Sequence, residues 1–116
     1  MSLLVNRTML EPERKEQIEE LKQNLESLLG PHTFKMFLFG SRARGDHSHT
    51  SDFDVAILIR GLTREMKHLG LEKVAETELE YALPLSTLVL SEEDFHVLKK
   101  RERRIVADIE REGIPL

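Results

Sequence analysis

Residues 39–59 read FGSRARGDHSHTSDFDVAILI, and this stretch decides both the predicted fold and the candidate site. It begins at the end of a short apolar and aromatic run, TFKMFLF at residues 33–39, which Pro31 and Gly40 bound. It ends in a second apolar run, FDVAILI at residues 53–59. Short apolar runs between turn residues are typical of buried strands. The polar residues from Gly40 to Ser51 predict a loop between the two strands, with room for one helical turn.

Upstream of these strands, one helix is predicted from Pro12 to Leu29, and Gly30-Pro31 ends it. Downstream, Thr63 is a plausible N-cap for a second helix that runs to about Glu80. The apolar residues of this second helix are expected to mark its inner side: Met66, Leu69, Leu71, Val74, Ala75 and Leu79. Residues 1–11 have no clear period and are expected to form a loose arm.

Pro84 precedes a third predicted strand at residues 85–90, and Ser91-Glu92-Glu93-Asp94 reads as a capping box. It opens a last helical region that ends before Gly113. Three buried strands need cover, and amphipathic helices supply it. The sequence therefore predicts an α+β fold, with a small mixed β-sheet of at least three strands covered by amphipathic helices.

The composition limits the function classes. A chain of 116 residues fits one domain, residues 1–116, and it buries enough surface to fold alone, although a homo-oligomer stays open. The net charge of −4 argues against general attraction to nucleic acid or anionic membranes, and the absence of cysteine excludes disulfides and thiolate zinc sites. No signal-peptide core and no long apolar run is present, so a cytoplasmic location is expected.

Two carboxylates stand at the start of the second strand. Asp52 and Asp54 are two residues apart, so in an extended chain they project from one face, about 7 Å apart. Side by side they repel each other unless a cation neutralises them, and oxygen ligands of this charge suit Mg²⁺. Taken alone, the pair is more often a solvated strand end.

A phosphate-binding turn is indicated at the other end of the loop. Gly40-Ser41 directly follows a buried strand, where free backbone N–H groups can approach a phosphate closely and the Ser41 hydroxyl adds a donor. Arg42 and Arg44 add guanidinium groups suited to phosphate oxygens. For Gly-Ser alone, an ordinary turn would be the better interpretation.

Together these residues resemble the signature of the polymerase-β nucleotidyltransferase superfamily: Gly-Ser, ten residues, then Asp-x-Asp. A third strand followed by Ser-Glu-Glu-Asp-Phe and a closing Glu-Arg-Glu-Gly are similar to the minimal nucleotidyltransferases of toxin–antitoxin modules. The resemblance implies Mg²⁺-dependent transfer of a nucleoside monophosphate, AMP from ATP, to a hydroxyl on a HEPN-domain toxin. In those terms Gly40 and Ser41 hold the triphosphate, and the catalytic Asp52 and Asp54 hold the metal. Arg42 and Arg44 stay phosphate-binding candidates on the chemistry of their guanidinium groups.

Superfamily members usually carry a third acid on a later strand, and Ser86 occupies the corresponding place here. A neutral serine is a poor metal ligand and no general base at pH 7. Two hypotheses therefore stay open: an enzyme, or a non-catalytic module that binds a partner or nucleotide after losing the third carboxylate.

Other candidate sites carry weaker signals. His47-Ser48-His49 could hold a metal, but with no third ligand in view a solvated loop is favoured. The basic run from Lys99 to Arg104 could contact RNA, but without interleaved aromatics it is better explained as a solvated helix face. Tyr81 is a possible target of self-modification and, by default, a residue at the edge of the core.

Overall fold

The computed structural model describes residues 11–30 and 34–116, which form five helices and four strands within those ranges. In chain order these elements are α1 (Pro12–Leu29), β1 (Phe34–Phe39), α2 (Ser41–Arg44), β2 (Phe53–Ile59), α3 (Arg64–Tyr81), β3 (Leu85–Ser91), α4 (Glu92–Lys100), α5 (Arg104–Glu112) and β4 (Ile114–Pro115). The strands form one sheet in the order β3-β2-β1-β4. Strand β1 is antiparallel to β2 and β4, whereas β2 is parallel to β3. The predicted mixed sheet covered by helices is confirmed.

The larger core lies between the sheet and the helices α1 and α3. On β2, alternate side chains point into this core and are at most 1% exposed: Phe53, Val55, Ile57 and Ile59. Helix α1 meets them with a stripe at helical spacing: Ile18, Leu21, Leu25 and Leu29. The bounds of α1 match the prediction. Its last turn closes at Gly30, which has a φ of 88° and whose N–H donates to Glu26 O.

The other face of the sheet is covered only in part, by α4 and α5. A smaller cluster of Phe39, Ala56 and Ile109 packs there with Leu88 and Phe95. Asp54 belongs to the same face as Ala56, because side chains two apart on a strand share a face. It lies near the start of the strand, where this smaller cluster ends. Strand β2 is thus buried on both faces along its middle and carries a carboxylate at its start.

The apolar pattern of α3 was misleading. Of the six residues expected inside, Leu69, Leu71, Ala75 and Leu79 are exposed, whereas the buried positions are Gly70, Val74 and Thr77. Gly70 lies on the side of α3 that meets α1, since a Cβ added there would be in ordinary contact with Leu25 Cδ2, at 3.9 Å. Thr77 tolerates burial because its hydroxyl donates to Lys73 O at 3.0 Å. Val74 is buried as predicted, and a glycine and a self-satisfied threonine occupy the rest of the inner face. The predicted N-cap is correct, since Thr63 Oγ1 accepts from the Met66 N–H at 3.1 Å.

The C-terminal region is divided into two helices instead of one helical region. Ser91 caps α4 by accepting from the Asp94 N–H at 2.9 Å, as predicted. The chain then breaks at residues 101–103, where Glu102 takes a positive φ of 54°, and α5 returns across the sheet. The last strand, β4, pairs with β1 at Leu38 and Ile114. A strand of two residues has no periodicity to detect, which is why the pattern did not predict it. The expected loose arm falls almost wholly on residues 1–10, outside the described residues.

Within residues 11–30 and 34–116, no helix combines the length and apolarity that crossing a membrane requires.

Candidate active site

The site is built around Gly40, which joins β1 to the short helix α2. Its φ of 75° and ψ of −158° lie in a region that only glycine adopts readily. A Cβ added at Gly40 would lie 2.1 Å from Asp54 Oδ2, well inside van der Waals contact. Glycine is therefore required twice, for the sharp turn and for the Asp54 carboxylate that packs against its α-carbon. The loop's two ends, far apart in sequence, meet at this contact.

Helix α2 presents backbone donors at the same place. The Gly40 carbonyl accepts from the Ala43 N–H at 3.1 Å and from the Arg44 N–H at 3.0 Å. The amides of Ser41 and Arg42 come too early in the helix to have an acceptor inside the turn. Gly45 then ends the helix in the left-handed conformation, with its N–H donating to Ser41 O at 2.9 Å.

The two carboxylates interact with each other. Asp54 is half-buried and is the second residue of β2, whereas Asp52 precedes the strand and is exposed. Burial raises the pKa of Asp54, and the negative charge of Asp52 raises it further. The Ser86 hydroxyl and the charge of Arg44 act in the opposite direction and lower that pKa. A cation placed between the two aspartates would relieve the repulsion that raises the Asp54 pKa.

Ser86 lies beside Asp54. The parallel register of β2 and β3 places Ser86 opposite Asp54, and the Ser86 hydroxyl is close enough to lower the pKa of the Asp54 carboxyl. The expected position of Ser86 on the strand next to the acidic pair is therefore what the structure has. A hydroxyl therefore stands beside Asp54 at the position where the resemblance leads us to expect a third carboxylate.

Arg42 turns into the protein. Its side chain is 3% exposed, and its guanidinium stacks 4.1 Å above the centroid of the Phe53 ring. Nε and Nη2 donate to Ser51 O at 3.3 and 3.1 Å, and Nη2 also donates to His49 O at 3.2 Å. Nη1 contacts the Glu11 carboxylate at 3.4 Å. These bonds favour a role for Arg42 in holding the loop ahead of the acidic pair, because most of its donors are used inside the protein.

Arg44 stays at the surface beside the site. Its Nη1 lies 2.7 Å from Glu112 Oε2, and its Nε lies 3.0 Å from Asp46 Oδ2. The two carboxylates raise the pKa of Arg44, so it stays cationic. The Glu112 side chain is only 10% exposed, and its ion pair with Arg44 connects the C-terminal end of α5 to the loop. Sequence reasoning assigned no role to Glu112, and the closing Glu-Arg-Glu-Gly was the signal that could have found it.

The weaker candidates lie apart from this centre. His47 Nδ1 is buried without a hydrogen-bond partner in the described residues, and His49 is exposed. In residues 11–30 and 34–116, no three His, Cys, Asp or Glu side chains converge as a complete metal-ligand set. The basic residues from Lys99 to Arg104 are all exposed and pair in part with acids of α5. Tyr81 packs at the edge of the core and donates to Glu20 Oε2.

The arrangement combines a glycine turn with free backbone donors, a surface guanidinium and a pair of carboxylates on an adjoining strand. A sequence model of the nucleotidyltransferase domain family matches residues 14–115, which is nearly the whole chain. The chain belongs to the nucleotidyltransferase domain family. In this nucleotidyltransferase the Gly-Ser element directly follows β1, and the Asp-x-Asp element lies at the start of β2, the neighbouring strand.

A relative in Methanocaldococcus jannaschii is 32% identical over 75 residues, which cover 64% of this nucleotidyltransferase and 76% of the relative. That protein is provisionally named a protein adenylyltransferase.

Solved structures share the fold. One is a provisionally named nucleotidyltransferase from Sulfolobus solfataricus, with a TM-score of 0.53, 23% identity, and coverage of 86% of this chain and 76% of that one. Another is a toxin–antitoxin structure with AMP-PNP, with a TM-score of 0.52, 18% identity, and coverage of 84% and 70%.

Proposed function

We propose that this nucleotidyltransferase transfers AMP from ATP to a hydroxyl group on a partner protein and releases pyrophosphate, in a Mg²⁺-dependent reaction. The observation that carries the proposal is the contact between Gly40 and the Asp54 carboxylate. It joins a turn suited to phosphate oxygens to a carboxylate pair suited to a cation, so one triphosphate can reach both. We take residues 1–116 to act as one domain in the cytoplasm.

Each residue of the site has a separate task in this proposal. The Gly40 turn and the Ser41 hydroxyl bind the triphosphate, and Arg44 adds a positive charge at the rim. Asp52 and Asp54 would hold Mg²⁺, since hard carboxylate oxygens and an electrostatic need for a cation fit that ion. When bound, the ion would neutralise the charge that develops on the phosphoryl oxygens. Arg42 was expected to bind phosphate as well, but its bonds to loop carbonyls support a positioning role instead.

The acceptor is proposed from the comparisons and from the sequence resemblance. The M. jannaschii relative has a name that specifies a protein as acceptor, and one structural neighbour is a toxin–antitoxin structure with AMP-PNP. Minimal nucleotidyltransferases of this type resemble the present chain over its motif. We therefore propose a HEPN-domain toxin as the partner that is modified, with this chain as the antitoxin.

One observation favours a second candidate function. Ser86 places a hydroxyl beside Asp54 where a third carboxylate would otherwise stand. A protein that binds nucleotide and partner without transfer would retain the Gly40 turn and the acidic pair while needing no base. In the enzyme hypothesis, the acceptor hydroxyl must lose its proton to water or to another group.

Calorimetry of ATP binding with Mg²⁺ and with EDTA tests the site, and transfer of labelled AMP to a candidate partner tests the reaction. ATP should bind more tightly with Mg²⁺, and the Asp52→Asn and Asp54→Asn variants should lose that difference while remaining folded. Asp94→Asn, which changes an exposed carboxylate on α4, is the matched control and should behave as wild type. Equal ATP affinity in both buffers would contradict the site, and metal-dependent binding without any transfer would favour the binding module.

A further inference from the structure

Strand β3 leaves one edge of the sheet open in the part of the chain that the structure describes. The Phe53 N–H donates to Pro84 O at 2.8 Å, and residues of a parallel ladder alternate in the direction of their hydrogen bonds. The backbone groups of Leu85, Thr87 and Val89 therefore point away from β2, towards the open edge. Exposed edges are normally guarded by charged side chains or proline. Within β3, with the sequence LSTLVLS, neither is present.

Helix α3 exposes an apolar stripe next to this edge. Leu71, Ala75 and Leu79 are four residues apart, so they follow one line along the helix. Leu71 is 39% exposed and Leu79 is 86% exposed, an unusual value for a leucine on a helix. The side of α3 that meets α1 is a different one, since Gly70 approaches Leu25 there. The stripe thus lies on the flank of α3 that faces away from α1, above β3.

The strand and the stripe share a centre. The short connection at residues 82–84 brings the end of α3 level with the start of β3, and the two elements run antiparallel. Thr87 lies about 10 Å along the strand from Pro84, a distance that about seven helical residues span. Counting back from Tyr81, this level falls near Ala75. The stripe is symmetrical about that residue, with a leucine four positions away on each side.

A two-fold interface brings the same surface of both copies together, and an axis through Ala75 would set leucine against leucine along this stripe. We propose that two copies of this chain pair antiparallel through β3, centred on Thr87, which makes one continuous eight-stranded sheet. The same two-fold axis places Ala75 against Ala75 and Leu71 against Leu79 of the second copy. The small alanine at the centre permits the two helices to approach.

The pairing would also bring the second copy close to the candidate active site. Because Ser86 precedes Thr87, the second copy would flank the position beside Asp54 and restrict the side from which an acceptor enters.

Cysteine cross-linking tests the pairing directly, because the natural chain contains no cysteine. The Ala75→Cys variant should form a disulfide-linked dimer under mild oxidation, since the axis brings the residue against itself. Leu28→Cys is the matched control, placed at a residue of α1 that is 44% exposed, and it should stay largely monomeric. Circular dichroism should show both variants folded, because both sites are exposed.

Sedimentation velocity of the full chain, without any partner protein, supplies the second measurement. Wild type should show a concentration-dependent dimer, and Leu79→Lys should weaken it about tenfold or more, since each substitution enters the interface twice. Leu28→Lys should leave the dimer unchanged. A wild type that stays monomeric at every concentration would overturn the proposal. So would a dimer indifferent to Leu79→Lys, or cross-linking as fast through Cys at position 28 as at 75.

Discussion

Replacing Gly40 by alanine should damage the site more than its size suggests. At a φ of 75° and a ψ of −158° an alanine costs about 1–3 kcal/mol in backbone strain alone. The new Cβ would also lie 2.1 Å from Asp54 Oδ2, so the carboxylate must rotate away or the turn must open. Either movement separates the phosphate-binding turn from the acidic pair. We expect lower stability together with loss of the Mg²⁺-dependent gain in ATP affinity.

Gly61→Ala is the matched control, because Gly61 also has a positive φ, of 66°, but a Cβ there meets nothing within 4 Å. It should cost about 1–2 kcal/mol from the left-handed backbone and leave ATP binding unchanged. Gly40→Ala should unfold at a denaturant midpoint or temperature below this control, with each further 1 kcal/mol lowering Tm by about 4 °C. Calorimetry with Mg²⁺ or EDTA then reports the site itself.

The role of the Asp54 contact can be isolated by a double variant. In an Asp54→Ala background the overlap with the carboxylate is gone and a contact with the Cβ of residue 54, at 3.2 Å, remains, so adding Gly40→Ala should cost markedly less than it costs in wild type. If the Gly40 and Gly61 variants are equally stable and both retain metal-dependent ATP binding, the packing of Asp54 against Gly40 is not what assembles the site.

Three further predictions concern neighbouring groups. Ser86→Asp should lower the Tm of the metal-free protein by charge repulsion and raise AMP transfer about 10²–10⁴-fold. Mg²⁺ should then raise the Tm of this variant more than it raises the Tm of wild type. Equal rises would show that the new carboxylate does not face the cation. Glu112→Gln removes the charge that Arg44 contacts at 2.7 Å, so KM for ATP should rise. The free energy of unfolding should change by no more than about 1 kcal/mol. An unchanged KM would contradict the placement of Arg44. The hydrogen bond to Glu20 raises the pKa of Tyr81 to about 12 from 10.0. Because the folded state then holds the Tyr81 proton more tightly, the stabilisation from this hydrogen bond is complete below the unfolded pKa and is lost as pH rises towards 12. An ultraviolet titration should show a lower midpoint of Tyr81 ionisation in Glu20→Gln than in wild type. Identical midpoints would show that Glu20 is not what raises the pKa.

Local signals predicted most of the architecture. Helix α1 and strand β2 have the predicted bounds, and Thr63 and Ser91 cap their helices as expected. These features depend on periodicity, capping and turn residues within a few positions of one another, and such local chemistry is written in the sequence. The Gly-Ser and Asp-x-Asp spacing likewise led to the family, because those residue types rarely occur together by chance. Their roles in binding stay predictions that the experiments above address.

Tertiary structure decided what depends on contacts between distant segments. The pattern on α3 placed Leu71 and Leu79 inside, but burial is set by which flank meets α1, and Gly70 and Thr77 lie on that flank. Arg42 and Arg44 are two residues apart with the same chemistry, and only the fold turns one under the loop and leaves the other at the surface with Glu112. The reason that residue 40 must be glycine is also tertiary, since the atom that excludes a side chain belongs to Asp54, which the sheet brings back from fourteen residues along the chain.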